Sequence, residues 1–294
     1  MPGGNPVSYI GPTATKFGRL QSVAPLQLHR LHVHDGAPLQ EVMHDIPLPV
    51  LDQEDLLAQG IDTSVLVPGA AKVDALGSCT CNAGTAHLAE RMAAAGREVV
   101  GLGSMNESGA ASVVLDLRQP DAKTAEEFAI VLYHAVTDQT GDPASEWPPT
   151  DCGSSGYYVC TEMEQARFAT IWKTASGVLG ALSLLQSSTV MQGLPWFKSW
   201  FEPDSQGFVD GDGSIDALEA AIASGVAGGH ETLQRGIPQL AQTASGHVDL
   251  QNTVIQVRNS WSASFGIAGD YLLHASTLDY LSQYADFKTI TLAA

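Results

Sequence analysis

The spacing of apolar and polar positions changes character past the middle of the chain. From Asn82, the stretch "NAGTAHLAERMAAAGRE" sets Ala83, Ala86, Leu88, Met92 and Ala93 among good helix formers, with Gly96 placed where a helix can stop. It predicts a helix. "KTAEEFAIVLYHAV" at 123–136 predicts a second one, and "TGDPASEWPPTD" at 140–151, interrupted by three prolines, predicts a surface loop after it. Further helices are expected around 155–168 and in "ASGVLGALSLLQ" at 175–186. Beyond about residue 187 the pattern is that of strands, in "STVMQGLPWF" (188–197), "HETLQRGI" (230–237), "NTVIQVRNSW" (252–261) and "GDYLLHAS" (269–276). Residues 1–44 mix Pro, Gly and short apolar pieces such as "RLHVHD" and form an N-terminal arm. The expected fold class is therefore α+β with two lobes. Residues 45–294 form a single domain, helix-rich over about 45–186 and strand-rich over about 187–294. No repeat of fixed period is visible.

Composition narrows the partners. The chain has 294 residues, 44% of them hydrophobic, enough for one large core or two smaller ones sharing a cleft. With 14 Lys and Arg against 32 Asp and Glu, the net charge of −18 repels phosphate backbones and anionic lipid, so neither nucleic acid nor membrane is expected as a partner. No run approaches the roughly 20 apolar residues of a membrane span. The opening "MPGGNPVSYIGPTATKFG" lacks the basic and apolar regions of a secretory signal. A cytoplasmic or virion-associated protein is expected. Four cysteines, at 79, 81, 152 and 160, are too few and too irregularly spaced for a disulfide framework, and C-x-C and C-x7-C are not the spacing of structural zinc modules. Neither a metal nor a cofactor is expected.

Two stretches offer a nucleophile beside a Gly-Ser pair: "ALGSCTCNAG", with Cys79, and "DCGSSGYYVC", with Ser155. Cys79 lies just ahead of the helix expected from Asn82, where orphan N–H groups and the helix dipole favour a thiolate. His230 follows "GVAGG" and opens an expected strand, a place for a base facing a cleft. Asn259, in "RNSW", ends an apolar strand, and the indole two residues later is placed to shield a hydrogen bond between Asn259 and the histidine. A thiolate, a base and a group to orient the base are the three parts of a nucleophilic thiol site.

These segments resemble the papain-like cysteine peptidases, in particular the bacterial and phage-encoded branch. "LGSCT" (76–80) is similar to the nucleophile motif at the head of that family's central helix, "GGHETLQRGI" (228–237) to the segment around the base, and "RNSWSASFGIAGDYLL" (258–273) to the Asn-Ser-Trp segment. His230 lies 151 residues after Cys79 (230 − 79), close to the ~130–150 of papain-like enzymes. Asn259 is 29 further on. "PPTDCGSSGYYVC" and "PWFKSWFEPDSQG" resemble the same branch. The resemblance implies a helical lobe with the nucleophile at a central helix N-terminus and an antiparallel, barrel-like β lobe carrying His and Asn. It implies Cys79 as nucleophile, His230 as general base and then acid, and Asn259 as orienter. The activity implied is cleavage of peptide or isopeptide bonds in a polypeptide or peptide-containing substrate. The alternative is a papain-like scaffold serving as a structural or binding protein, for example a phage virion component, assembling into a virion or a homo-oligomer.

Two departures stand out. The family's oxyanion-donating glutamine sits six residues before the nucleophile, where this chain has Val73. "LDQ" at 51–53 resembles the usual lead-in displaced by an insertion, which makes Gln53 the oxyanion candidate and Gln59 a weaker one. Second, fewer than 80 residues precede Cys79 and they read as part of the fold, so activation by removal of an inhibitory domain is not expected.

Other features have plainer readings. Ser155 lies only 75 residues before His230 (230 − 155), so "TDCGSSGYYV" reads as a polar helix cap in which Thr150, Asp151 or Ser154 serves orphan N–H groups. Cys81 is expected to pack. His32 and His34 alternate on a strand, and a metal shared with His29, His44 or Asp35 is weighed against an exposed strand face. Asp204, Asp210, Asp212 and Asp216 lack the calcium-loop pattern and read as Gly-Asp turns. Trp196, Trp200 and Phe201 are expected to pack at the lobe interface.

Overall fold

A computed structural model describes residues 38–102, 113–138 and 144–293. The helical part is built on α2 (Cys79–Ala94), flanked by α3 (Ala122–Asp138) and α4 (Gly156–Gln165) and preceded by the short α1 (Thr63–Leu66). α2 buries every residue from Cys79 to Glu90 and then Met92, so it is a central helix that meets solvent only in its last turn. Its end follows from Gly96: with φ at +68°, Gly96 N donates to Ala93 O and Arg97 N to Met92 O, a Schellman motif that closes the last carbonyls. α3 begins where Asp121 accepts from the Lys123 and Thr124 N–H groups. Phe128, Leu132 and Tyr133 of α3 enter the same core as Leu88 and Met92 of α2 and Val159 and Met163 of α4. Each such large side chain contributes ~1.5–3 kcal/mol by leaving water.

The second part is an antiparallel seven-stranded sheet. Numbering strands along the chain, β1 is Val42–Met43, β4 Ala169–Ala175, β5 Val190–Phe197, β6 Val226–Gln239, β7 Val254–Arg258, β8 Asp270–His274 and β9 Asp286–Leu292. The order is β4-β9-β5-β6-β7-β8, with β1 added on β6. β2 (Val99–Leu102) and β3 (Val113–Asp116) form a separate hairpin-like pair. α5 (Gly177–Leu185), α6 (Ile215–Ser224) and α7 (Ala275–Leu281) pack around the sheet, whose core holds Trp196, Trp200, Ile255, Val257, Tyr271 and Phe287. This is the α+β architecture the sequence predicts. No helix among the described residues is long and apolar enough to cross a membrane.

The expected elements near 82, 123, 155, 175, 188 and 230 fall within α2, α3, α4, α5, β5 and β6. Three details differ. The strand expected at 252–261 stops at Arg258; Asn259 N still donates to Gly269 O in register, but Ser260 and Trp261 turn to the 51–53 segment, where Gln53 N donates to Ser260 O and Ser262 N to Leu51 O. The strand expected at 269–276 ends at His274, where α7 starts. β2, β3, β4 and β9 are all unpredicted; β4 and β9 pair with each other at the sheet edge, so strands already occur in the half read as helix-rich, well before residue 187. Of the candidate histidine cluster, His29, His32, His34 and Asp35 lie outside the described residues. His44 sits by β1 with its Nε2 2.7 Å from Leu185 O.

Candidate active site

Cys79 is the first residue of α2. Its N-cap, Ser78, makes no side-chain capping bond, and Ser78 Oγ is buried without a partner. The first-turn N–H groups therefore keep their partial positive charge beside the Cys79 sulfur, an environment that favours a thiolate. Cys79 Sγ lies 3.5 Å from the backbone N–H of Glu231, the residue after His230 on β6. The long β5–β6 pairing, with His230 opposite Leu194, holds that part of the strand in place.

The histidine's proton position follows from a neighbouring backbone group. Asn259 Oδ1 accepts the Ser260 N–H at 2.8 Å, which requires an oxygen there and fixes the amide's orientation. The same Oδ1 lies 2.7 Å from His230 Nε2. An oxygen cannot donate, so Nε2 carries the hydrogen, and Nδ1 is the nitrogen that binds or releases a proton. The ring is sandwiched: Trp261 stacks on it at 4.5 Å and 14°, and Trp196 meets it edge-on at 5.1 Å. Trp261 also stacks with Phe201 at 5.4 Å and 16°, and Trp196 meets Trp200 edge to face at 5.3 Å and 86°, so the expected aromatic cluster sits around the imidazole. Cys79, His230 and Asn259 are 0%, 1% and 2% exposed, an enclosed site.

Gln53 lies close by although 26 positions separate it from Cys79 in sequence (79 − 53). Leu76 N donates to Gln53 O at 3.0 Å, Gln53 N to Ser260 O at 3.2 Å, and Leu56 N to Asp74 O at 2.8 Å. Residues 54–75 therefore leave and return at neighbouring points. The buried Gln53 side chain accepts from Ser260 Oγ at 2.8 Å and donates to Leu76 O at 3.2 Å, lacing the nucleophile loop to the residue after Asn259. Gln59 does not join this group: its Nε2 donates to Asp52 O and Asp55 O. Val73 packs within the excursion, its N–H bonded to Thr63 Oγ1.

The expected helix cap is not one. α4 starts after Ser155, which makes no side-chain capping bond and has a buried, unpartnered Oγ. Asp151 instead reaches back 74 residues, its two oxygens accepting the Gly77 N–H at 3.0 and 3.1 Å. Tyr133 OH donates to Asp151 at 2.9 Å and accepts from Gly153 N at 2.8 Å. A carboxylate that meets a long-range backbone donor leaves its own helix uncapped, and nothing in local spacing signals that choice. Cys81 and Cys160 are fully buried, and burial pushes both thiols up, Cys160 to about 12; both pack. The acidic residues bond to separate groups. Asp204 accepts from Gln206 and Phe208 N–H, Asp212 from Ser214 N–H, and Asp210 from His274 and Thr277. Among the described residues no cluster of His, Cys, Asp or Glu could hold a metal ion.

Neither a protein-family model nor a curated protein matches the sequence significantly. Among solved structures, the chain is similar to xylellain, a cysteine protease from Xylella fastidiosa, with a TM-score of 0.49 and 17% identity over 98% of this chain and 100% of that one. It is also similar to digestive procathepsin L 3 of the Tenebrio molitor larval midgut, with a TM-score of 0.47 and 10% identity over 94% and 76% of the two chains. A third is procathepsin B S9 from Trypanosoma congolense, at 0.41 and 11% over 95% and 87%. At these levels of likeness, a functional reading rests on the site's own geometry.

Proposed function

We propose that this chain is a papain-like thiol hydrolase that cleaves peptide or isopeptide bonds through an acyl-enzyme on Cys79. The observation that carries the reading is Asn259 Oδ1, which is fixed by the Ser260 N–H and sets the proton on His230 Nε2. Nδ1 is thereby left as the base on a strand whose next residue touches the sulfur. In this mechanism the thiolate attacks the acyl carbon, a C–S bond forms, and the imidazolium gives its proton to the departing amine as the C–N bond breaks. Water, deprotonated by the same nitrogen, then attacks the thioester, and the carboxylic acid leaves as the sulfur recovers its charge. Gln53, from its place between Leu76 and Ser260, serves as an oxyanion donor, together with N–H groups at the start of α2. The substrate is a polypeptide or peptide-containing molecule, and no cofactor takes part.

One observation favours a second reading, a scaffold that binds or builds without turnover, such as the virion component raised by the sequence resemblance: the three residues are enclosed. Labelling separates the two. Iodoacetamide or the epoxide E-64 is applied to folded protein across pH 5–9, with the labelled peptide identified by mass and His230→Ala as control. Selective modification of Cys79 well below pH 8, lost in the variant, is the result expected of the hydrolase. A Cys79 that reacts only on unfolding, or no faster than an ordinary thiol, leaves the scaffold.

A further inference from the structure

Glu126, on α3, is fully enclosed and serves two segments at once. The Asp52 backbone N–H donates to its Oε2 at 3.0 Å, and Asn82 Nδ2 lies 2.7 Å from Oε1 and 2.8 Å from Oε2. Asp52 precedes Gln53, and Asn82 sits about one turn along α2 from Cys79. One carboxylate thus joins the strap carrying the candidate oxyanion donor to the helix carrying the candidate nucleophile. Asn82 also lines a cavity of about 10 Å³ together with Glu231, Arg258, Asn259 and Ser260. The buried Asn82 Oδ1 has no hydrogen-bond partner.

That leftover oxygen has a chemical use. An ionised carboxylate only accepts, so it draws Asn82 Nδ2 and leaves Oδ1 over. A protonated carboxyl carries a donor, and Oδ1 can accept it once the amide turns over. Both states are hydrogen-bonded, and they present opposite polarity to the cavity wall beside Asn259 and Ser260. They also differ at Asp52, whose N–H donates to a charged oxygen in one state and a neutral group in the other.

Burial above all puts the exchange near neutrality. Burial pushes Glu126 up to about 7 against the pull of the Asn82 and Asp52 hydrogen bonds, and the Asp52 carboxylate adds to the rise. Asp52 is itself raised by burial, with Asp55 and Asp74 acting in the same direction. On α3, the adjacent Glu127 pairs with Lys123 at 3.8 Å. Of the other ionisable residues on the cavity, Arg258 of β7 is bound to Asp270, and Glu231 comes from β6.

We propose that Glu126 is a positioning residue whose protonation state sets the orientation of the Asn82 amide and, with it, the hold on the Asp52–Gln53 strap beside Cys79. The kinetic part of this inference rests on the reading of Cys79 as nucleophile; the coupling of Glu126 to Asn82 does not.

Two measurements test it. In ¹⁵N-labelled wild-type protein titrated from pH 5.5 to 8.5, the Asn82 side-chain NH₂ resonances should move with a midpoint near 7, and Glu126→Gln should abolish that movement. The variant, a mimic of the protonated state, should alkylate Cys79 about 10-fold more slowly than wild type at pH 8, the worth of one hydrogen bond. The two proteins should converge below pH 6, which a general loosening of the fold would not produce. Asn82 resonances that stay fixed in the wild type overturn the proposal, as does a defect in Glu126→Gln of equal size at both ends of the range. If Cys79 reacts only as an ordinary thiol while Asn82 titrates as expected, the hydrolase reading fails and the Glu126–Asn82 coupling stands. The wild-type titration decides the matter even if the variant does not fold.

Discussion

Trp261 lies face-on against the His230 imidazole, with ring centroids 4.5 Å apart and planes 14° from parallel. An aromatic face stabilises a cation above it, and a large indole keeps water from the His230–Asn259 hydrogen bond. Trp261→Leu removes both effects while keeping an apolar group in place. The imidazolium should be weakened and the alkylation of Cys79 at pH 6 should slow by about 3- to 10-fold. A rate profile identical to wild type from pH 5 to 9 would count against this role.

Asn259 holds the ring from the other side. Asn259→Ala removes the acceptor for His230 Nε2 and releases the tautomer, which should lower the alkylation rate by about 10- to 100-fold, typical of losing an orienting partner. Asn259→Asp keeps an oxygen for both Ser260 N–H and Nε2, so it should retain most of the orientation while shifting the pH profile upward by its charge. Comparison of the two profiles checks the assignment.

The Gly77–Asp151–Tyr133 tie should matter for both stability and reactivity. Tyr133→Phe removes a hydroxyl that donates to Asp151 and accepts from Gly153 N–H, leaving a buried donor unmet at a cost of about 1–3 kcal/mol. Chemical denaturation of the variant should show a lower midpoint with an unchanged slope. Cys79 alkylation should slow, because Gly77 leads into the residue that caps its helix.

Gly84 sets two opposing effects against each other. Within α2 an alanine is favoured over glycine by ~1 kcal/mol. A Cβ at this position, however, would stand 2.6 Å from Val159 Cγ1 and 3.1 Å from Met163 Cε of α4, both in the packed core. Overpacking of that kind costs about 1–3 kcal/mol, so Gly84→Ala should be net destabilising by thermal unfolding. Gly84→Ala combined with Val159→Ala should recover part of the loss if the clash with α4 is its cause.

Buried groups give the folding stability pH dependences of opposite sign, with Glu162, pushed up to about 7 by burial, acting in the same direction as Glu126. His87 is held neutral, first by burial and then by Arg91 and His44, and its pKa falls from 6.5 to about 3. Its neutral form accepts from Ile290 N–H at Nε2 and faces Thr189 Oγ1 through Nδ1 at 2.6 Å. The unfolded chain binds this proton more readily, so the stability supplied by neutral His87 is complete above 6.5 and drains away as pH falls toward 3. Glu126 runs the other way: raised from 4.5 to about 7, it favours the folded state when protonated, and that contribution is lost as pH rises through 7. The full swing for Glu126 is roughly 3 kcal/mol, taken from 1.36 kcal/mol per pKa unit. Denaturant midpoints should therefore decline from pH 6 to 8 in the wild type and decline less in Glu126→Gln. On the acid side the His87 and Glu126 contributions offset each other between about 4.5 and 6.5, so the His87 loss emerges below about 4.5, where His87→Gln should flatten it.

What could be read from the sequence depended on how local the cause was. The body and stop of α2 are written in neighbouring residues, an Ala-rich run and Gly96 after it, while its start lies at Cys79, three residues before the expected Asn82. The contact between His230 and Asn259 is likewise the one expected from short stretches with their flanking glycines and indole. β4 and β9 were missed because their pairing is with each other across more than 100 residues of chain, and an edge strand such as "ATIWKTA" has a weak alternation of its own. Asp151 was misread as a cap for the same reason, since its donor is Gly77 on another segment. Glu126 gave no signal at all: in "KTAEEFAI" it is one of two adjacent glutamates, and only the fold turns one inward against Asn82 and leaves the other toward Lys123.

The excursion at 54–75 separates distance along the chain from distance in space. Its two ends are pinned together by the Leu76–Gln53 and Leu56–Asp74 backbone bonds, and Leu56, Ile61 and Leu66 anchor its body in the core. The space beside Cys79 is thus insulated from the length of what lies between. Changes in the length of that detour should cost little, since loop closure depends only weakly on length, and need not move Gln53, the proposed oxyanion donor. A pattern that fixes the number of residues from glutamine to cysteine passes over Gln53 in this chain, whereas one keyed to where the detour closes reaches it.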